Sequence, residues 1–153
     1  MYDYRRQPQA LDLLPSLGRW RRGAGKGTSV SGEHLVVAVV DDDEPFRTAL
    51  VESLDSFGYA ARGFASAEEF IASDGERTYD CLITDFHMPG MSGFDLLRLL
   101  GTNASKLPVI MITARAEPGL EAKAAAAGAV CLLRKPFESS SLIDCLESAL
   151  RSR

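Results

Sequence analysis

Residues Leu35 to Phe46 read LVVAVVDDDEPF, and their pattern already indicates a fold class. The run LVVAVV is short, rich in β-branched residues and apolar at both odd and even positions, which is typical of a strand covered on both faces. Pro45 suits the first turn of a helix. Apolar residues then recur at helical spacing as far as Phe57, and Gly58 is typical of a helix end. The stretch therefore predicts a buried strand followed by an amphipathic helix.

The same strand-then-helix pattern occurs four more times. Further strands are predicted at Tyr59–Gly63, Cys81–Thr84, Val109–Thr113 and Ala129–Leu133, and further helices at Ser66–Ala72, Ser92–Leu100, Glu117–Ala127 and Glu138–Leu150. Five such units imply an α/β fold, a doubly wound (βα)5 parallel five-stranded sheet with helices on both faces. The strand order is not readable from the sequence. The polar residues after the strands can meet only if strands one, three, four and five lie centrally.

Charged and hydroxyl-bearing residues stand at the carboxyl ends of these predicted strands. They are Asp41, Asp42, Asp85, Thr113 and Lys135. The carboxyl ends of parallel strands share one edge of the sheet, so these side chains are predicted to meet in one acidic pocket. Two carboxylates ~4 Å apart repel by ~4 kcal/mol at an effective dielectric of ~20, so a cluster of three must take up protons or cations. Lys135 offers one positive charge, and Mg²⁺ fits as the second cation because it keeps coordination positions for a phosphate oxygen.

Such a pocket favours phosphoryl transfer to a carboxylate, which gives an acyl phosphate. Asp85 is the predicted nucleophile, because it stands alone at its strand end while Asp41 and Asp42 form a pair suited to a metal ion. The Lys135 ammonium and the Thr113 hydroxyl are predicted to bind phosphoryl oxygens. Each residue taken alone has an ordinary structural explanation as a turn former, a helix cap or a strand residue. Together, at matching strand ends, they indicate a site.

Composition and charge divide the chain into two parts. Its 153 residues are enough for one domain. Residues 1–34 hold six Lys and Arg against three acids, together with prolines and glycines, and predict a flexible basic N-terminal extension. Residues 35–153 hold eleven Lys and Arg against eighteen acids and form the predicted domain. Its acidic balance makes it a poor candidate for nucleic-acid binding.

Cysteines and hydropathy indicate the compartment. Cys81, Cys131 and Cys145 lack the spacing of a metal or redox motif and are predicted to be reduced thiols. No apolar run has the length of a membrane span or of a signal peptide. The expectation is a cytoplasmic protein without a membrane span.

Five motifs carry a resemblance to a known family. VVDDDE, ITDFHMPGMSG, PVIMITA, the AGAV turn and LLRKPF occur in this order between residues 35 and 150. With them the chain resembles the CheY-like receiver domain of two-component response regulators, and its details are similar to receivers of the NarL/FixJ type. The resemblance implies a flavodoxin/CheY-like fold.

The resemblance also implies roles around the acidic pocket. Asp85 matches the phosphoacceptor, Asp42 the direct metal-binding acid and Asp41 its acidic neighbour. His87 matches the residue whose backbone carbonyl completes the metal shell, so its imidazole is not implied as a ligand. Gly93 matches a position where the backbone packs closely against the site.

A second group of matched residues concerns the response to phosphorylation. Thr113 matches the switch hydroxyl and Lys135 the phosphate-sensing lysine, with an expected cis bond between Lys135 and Pro136. The switch position three before the lysine usually holds Tyr or Phe, and here it is Leu132. Arg115 stands at a position that affects access to the acyl phosphate.

The resemblance implies a single-domain response regulator of a two-component phosphorelay. It is expected to accept a phosphoryl group on Asp85, with Mg²⁺, from a sensor histidine kinase or phosphotransfer protein, and to signal by binding a downstream protein of unknown identity. It is not expected to be an enzyme beyond assisting its own phosphorylation and dephosphorylation. No DNA-binding helix pair follows the last predicted helix, so a stand-alone receiver without direct DNA binding is expected.

Three alternatives were weighed against this function. An aspartyl-phosphate phosphatase of the same fold needs an acid shortly after the nucleophile, where Phe86, His87 and Met88 stand. A flavodoxin-like cofactor binder needs a Ser/Thr/Gly-rich phosphate loop after strand one, and DDDEPF has the opposite charge. The basic residues 1–34 were also considered as a site for nucleic acid or anionic lipid, with an over-extended start or a disordered tail as the commoner explanation.

Overall fold

The structure is a computed structural model, and it describes residues 35–73, 79–103 and 105–151. The predicted extension at residues 1–34 lies outside the described residues. Strands and helices alternate in the order β1 Val36–Val40, α1 Glu44–Ser56, β2 Ala60–Phe64, α2 Ala67–Ala72, β3 Cys81–Asp85, α3 Gly93–Thr102, β4 Val109–Thr113, α4 Leu120–Ala126, β5 Cys131–Arg134 and α5 Ser139–Arg151. This alternation confirms the predicted α/β class.

The five strands form one parallel sheet in the order β2-β1-β3-β4-β5. The prediction that strands one, three, four and five lie centrally is wrong in one respect, because β5 is an edge strand. These four strands are nevertheless neighbours, which is what the site requires. The order changes direction between β1 and β3, and at such a switch point a crevice opens at the carboxyl ends of the strands.

Both faces of the sheet are covered, as the run LVVAVV predicts. Val37 and Val39 pack in one buried cluster with residues of α1 and α5, such as Leu54 and Leu146. The alternate residues of β1 pack in a second cluster with residues of α2, α3 and α4. Side chains of a strand point alternately to the two faces, so a strand inside a doubly wound sheet is apolar at every position. No helix of the described ranges is long and apolar enough to cross a bilayer.

Local signals placed most helix ends correctly. Asp43 is the N-cap of α1 and accepts a hydrogen bond from the Phe46 amide at 3.3 Å. Ser92 caps α3, because its side chain accepts a hydrogen bond from the Asp95 amide at 3.0 Å. The Ser92 amide in turn donates to the Asp95 side chain at 3.2 Å. These bonds satisfy amides that have no partner within the helix. They confirm the predicted start of α3 and show that Asp43 caps α1.

The predicted extent of the fourth helix is wrong at its start. The helix begins at Leu120 rather than Glu117, because Gly119 has a φ of 80° and occupies the N-cap position in a left-handed conformation. The fifth strand is displaced as well, from a predicted start at Ala129 to Cys131. The Ala129 amide still donates to the Ala124 carbonyl at 3.0 Å, which closes the end of α4 and delays the strand.

Candidate functional site

Hydrogen bonds to neighbouring segments, besides the one from Lys135 described below, fix Asp41 at the carboxyl end of β1. Its amide donates to the Phe64 carbonyl at 3.1 Å, and its carboxylate accepts from the Asp43 amide at 2.9 Å. Its carbonyl accepts from Arg47 Nη1 at 2.7 Å. The residue is only 1% exposed, so its carboxylate faces the interior of the crevice. The next residue, Asp42, is exposed.

Asp85 ends the neighbouring strand and brings a second buried carboxylate to the same crevice. One carboxylate oxygen from each of Asp41, Asp42 and Asp85 lies within 4.8 Å of the others. These three form the one group of acidic, His or Cys side chains in the described part of the chain that could hold a metal ion. Carboxylate oxygens are the ligands that Mg²⁺ prefers, so the donor set fits the predicted metal.

Lys135 enters the crevice from the end of β5. Its Nζ lies 2.9 Å from Asp41 Oδ2 and 3.6 Å from Asp85 Oδ1, and its side chain is 5% exposed. The same ammonium lies 4.1 Å from the ring centroid of Phe46, a favourable cation–π distance. The amide of Lys135 donates to the Thr113 carbonyl at 2.8 Å, and the bond between Lys135 and Pro136 is cis, as expected. A single buried cation therefore bridges two of the three carboxylates.

One cation does not compensate this much buried negative charge. Burial raises the pKa of Asp85 to about 7, with a further rise from the Asp41 carboxylate and a partial reduction by Lys135. Burial also raises the pKa of Asp41, against the lowering effect of Lys135. Without a metal, the cluster therefore binds a proton near neutral pH. A divalent cation held by these carboxylates would supply the missing charge and remove the need for that proton.

The loop after Asp85 packs tightly against the end of its own strand. A Cβ at Gly93 would collide with the Asp85 carbonyl oxygen and lie 3.1 Å from Thr84 Oγ1. The Gly93 amide donates to the Phe86 carbonyl at 3.1 Å. These contacts confirm the prediction that Gly93 permits close backbone packing, and they fix where the loop leaves and re-enters the fold.

The side chain of His87 points away from the carboxylates, towards the segment between β4 and α4. Its Nε2 lies 3.8 Å from Glu117 Oε2, and its ring centroid lies 4.8 Å from that of Phe86. Burial, followed by Arg115, lowers its pKa, against the raising effect of Glu117. The imidazole is therefore no part of the acidic cluster, and the metal role expected for the His87 carbonyl stays a prediction.

Thr113 is fully buried at the end of β4, and its hydroxyl already has a partner. Its Oγ1 accepts a hydrogen bond from the Arg115 amide at 3.0 Å. The Arg115 side chain lies 3.5 Å from Glu117. Sequence reasoning missed Glu117, which faces both Arg115 and His87, because no motif marks a contact between two loops.

Leu132 lies on β5 with its Cα opposite Met111, two residues before Thr113 on the neighbouring strand. It is partly buried and packs against the cluster that contains Phe86 and Leu120. The position expected to hold a switch aromatic thus lies on the strand next to that of Thr113. Cys81 and Cys145 are buried, and all three cysteines are free thiols, as predicted.

Comparisons with known proteins agree with this geometry. A family model described as the response regulator receiver domain matches residues 37–147. The transcriptional regulatory protein FixJ of Rhizobium meliloti (strain 1021) is 40% identical over 113 residues, which are 74% of this chain and 55% of that protein. The response regulator protein TmoT of Ectopseudomonas mendocina is 33% identical over 122 residues, 80% of this chain and 56% of that protein. The chain thus spans about half the length of these curated relatives.

Solved structures show the same likeness. The crystal structure of FixJ-N has a TM-score of 0.73 and 37% identity, covering 79% of this chain and 97% of that chain. The chemotaxis protein CheY4 of Vibrio cholerae has a TM-score of 0.70 and 28% identity, covering 77% of this chain and 100% of that chain.

Proposed function

We propose that this chain, which belongs to the response regulator receiver domain family, accepts a phosphoryl group on Asp85 with the help of Mg²⁺ and signals by binding another protein. One observation supports this most strongly. Three carboxylates with oxygens within 4.8 Å share a crevice with a single buried lysine. That charge imbalance suits a site that takes up a divalent cation and a phosphoryl group together.

The proposed reaction is a displacement at phosphorus. An Asp85 carboxylate oxygen forms the new P–O bond, while the bond to the donor, a kinase phosphohistidine or a small acyl phosphate, breaks and its electron pair leaves with the donor. The product is an acyl phosphate. Asp41, Asp42, Asp85 and the carbonyl of His87 would hold Mg²⁺, whose charge neutralises the phosphoryl oxygens.

Lys135 would change partners in this reaction. In the unphosphorylated protein it lies 2.9 Å from Asp41 and 3.6 Å from Asp85, so its ammonium is already beside the acceptor oxygen. A phosphoryl oxygen on Asp85 would bring additional negative charge to the same ammonium. The ammonium would need to move only a short distance to bind that phosphoryl oxygen, and the burial of the Lys135 side chain excludes water that would compete for it.

Thr113 would transmit the effect of phosphorylation from Asp85 to the protein surface. Its hydroxyl accepts from the Arg115 amide at 3.0 Å and donates to the Arg115 carbonyl at 3.4 Å, so donation to a phosphoryl oxygen would replace the bond to that carbonyl. That exchange would move the segment between β4 and α4. The proposed output surface is therefore the face formed by α4, β5 and α5, where Leu132 lies. A sensor histidine kinase or phosphotransfer protein is the proposed donor.

Mass spectrometry tests the proposed acceptor chemistry directly. Incubation with a small acyl phosphate and Mg²⁺ is expected to add one phosphoryl group to the intact protein. Addition of a chelator before the donor is expected to abolish the adduct, because the three carboxylates alone repel the donor. Labelling that is unaffected by chelator would contradict the role of the metal.

Removing Lys135 or Thr113 is expected to separate phosphorylation from output. Lys135→Ala takes away a cation that competes for Asp41 and Asp85, and Thr113→Ala takes away a group for which the described residues show no bond to a carboxylate. Mg²⁺ affinity measured by calorimetry should therefore not fall in either variant. Phosphorylation should no longer change amide exchange in α4 and β5. Lys106→Ala, at an exposed lysine that precedes β4, is the control for loss of charge. A large loss of Mg²⁺ affinity in both variants would refute this assignment.

Replacement of Leu132 by tyrosine is expected to enlarge the response to phosphorylation. A population shift requires a contact that differs between two states. An aromatic ring could fill the space that Thr113 vacates, whereas leucine offers a smaller contact and no hydroxyl. Leu132→Tyr should therefore increase the phosphorylation-dependent change in backbone NMR shifts of α4 and β5. An unchanged response would mean that leucine is a neutral substitution at this position.

A further inference from the structure

We infer that Glu68 is a positioning residue for the metal site, because its carboxylate fixes the loop of residues 86–92 that carries the proposed carbonyl ligand at His87. This inference rests on the proposed function, since it assigns Glu68 a part in holding the Mg²⁺ shell. Glu68 itself is exposed and stands in the first turn of α2, a helix that contributes none of the proposed ligands.

A direct hydrogen bond connects Glu68 to the loop. Glu68 Oε2 accepts from the Met91 amide at 3.1 Å, across 23 positions of sequence. This bond joins α2 to the backbone that leads from the acceptor strand into α3. It is therefore a contact between two separate units of the fold rather than a helix-capping bond.

Gly90 provides a second, independent sign that the loop is shaped around this carboxylate. Its φ of 74° is a conformation that residues with a side chain rarely adopt. A Cβ at this position would lie 3.0 Å from Glu68 Oε2. The loop thus turns in a glycine-dependent conformation at the point where the carboxylate approaches it.

Besides Glu68, the described residues attach the loop at its two ends and at the His87 side chain, which lies 3.8 Å from Glu117. The loop is tied at its ends where the Gly93 amide donates to the Phe86 carbonyl and where Ser92 and Asp95 exchange capping bonds. His87 to Gly90 lies between these ties, and the bond at Met91 is what holds its far side against α2. The carbonyl of His87 belongs to this span, so its position follows the loop.

The neighbouring acid, Glu69, stabilises the start of α2, so the contact of Glu68 with the loop is not needed for that purpose. Glu69 Oε1 accepts from the Ala65 amide at 3.0 Å, and the Glu69 amide donates to Ser66 at 3.1 Å, which together cap α2. The helix N-terminus is therefore served by Ser66 and Glu69. Glu68 extends from the same turn to a different partner.

Two substitutions distinguish the hydrogen bond from the charge. Glu68→Ala removes both, whereas Glu68→Gln keeps an acceptor oxygen for the Met91 amide and removes only the charge. Glu52→Ala, at an exposed acid of α1, is the control for loss of one negative charge. The readouts are hydrogen exchange of the Met91 amide in metal-free protein and Mg²⁺ affinity by calorimetry.

Glu68→Ala is expected to speed exchange at Met91 and to weaken Mg²⁺ binding, each by about two- to tenfold, the range that one hydrogen bond supports. Glu68→Gln and Glu52→Ala are expected to stay close to the wild-type protein in both measurements. Equal losses of Mg²⁺ affinity in Glu68→Ala and Glu68→Gln would assign the effect to charge and overturn the inference. Unchanged exchange or affinity in Glu68→Ala would overturn it as well. Failure of the wild-type protein to bind Mg²⁺ would instead refute the proposed function, and the inference with it.

Discussion

Asp85→Ala protein is expected to carry no phosphoryl group after incubation with a small acyl phosphate and Mg²⁺, under conditions that label the wild-type protein fully. The reason is chemical, because a methyl group has no oxygen with which to attack phosphorus. The two remaining carboxylates do not replace it. Asp41 is bound by Lys135 at 2.9 Å and by the Asp43 amide, and Asp42 is exposed. Intact mass measures the result.

Asp43→Ala is the matched control for this experiment. Asp43 lies in the same acidic run, but its carboxylate caps α1. Its loss should cost stability, about 1 kcal/mol, and leave labelling in place. Full labelling of Asp85→Ala would show that another residue accepts the phosphoryl group, and loss of labelling in Asp43→Ala would show that the acidic run acts as a whole.

The parts of the site that the sequence could predict are those fixed by strand ends. Asp41, Asp85 and Lys135 each follow an apolar run, and parallel strands leave little choice about where their carboxyl ends meet. The short distances from Lys135 to both carboxylates follow from that constraint. Helix caps such as Asp43 and Ser92 were predictable for a related reason, because a cap is a bond between residues close in sequence.

The parts that could not be predicted depend on contacts between loops or on the conformation of a single residue. Glu68 meets Met91 across 23 positions, and Glu117 lies 3.8 Å from His87, which belongs to another loop. No periodicity or spacing encodes such a meeting, because it depends on how two separate units pack. The late start of α4 likewise depends on the left-handed conformation of Gly119, for which the sequence shows only a glycine after a proline.

Strand order is a further example. Alternation of strands and helices predicts parallel pairing, but each crossover helix could pass over either face of the sheet. The observed order β2-β1-β3-β4-β5 places β5 at an edge, and only three-dimensional packing of the two buried clusters determines this. The wrong prediction for β5 does not affect the predicted site, because the site requires only that these four strands be neighbours.

Asp85→Asn is expected to stabilise the metal-free protein at and above neutral pH. Asp85 has a pKa of about 7 in the folded chain against an ordinary value of 3.8, chiefly because of burial and then because of the Asp41 carboxylate. Between these two values the folded state holds a proton that the unfolded state has lost. The free energy of unfolding therefore falls as pH rises from about 4 to about 7. The stability that the bound proton of Asp85 contributes is fully lost above pH 7.

Asparagine has the same shape and no charge to bury, so this pH-dependent loss should disappear. At pH 8 without metal the variant is expected to exceed the wild-type protein by on the order of 2–4 kcal/mol, from 1.36 kcal/mol for each unit of pKa. The bond from Lys135 to Asp41 at 2.9 Å remains in the variant and keeps the ammonium paired. Urea unfolding at pH 5 and pH 8, with chelator, measures the difference.

Mg²⁺ is expected to stabilise the wild-type protein more than Asp85→Asn, the opposite of the effect expected without metal. A divalent cation stabilises the folded state in proportion to its affinity, and the wild-type protein offers it one more carboxylate than Asp85→Asn does. Addition of Mg²⁺ at pH 8 should therefore raise the unfolding free energy of the wild-type protein more than that of the variant. Asp55→Asn, an exposed acid whose oxygen accepts from the Ala61 amide, is the control and should show neither effect. If Asp85→Asn unfolds as easily as the wild-type protein at pH 8 without metal, the buried charge of Asp85 does not limit the stability of this fold.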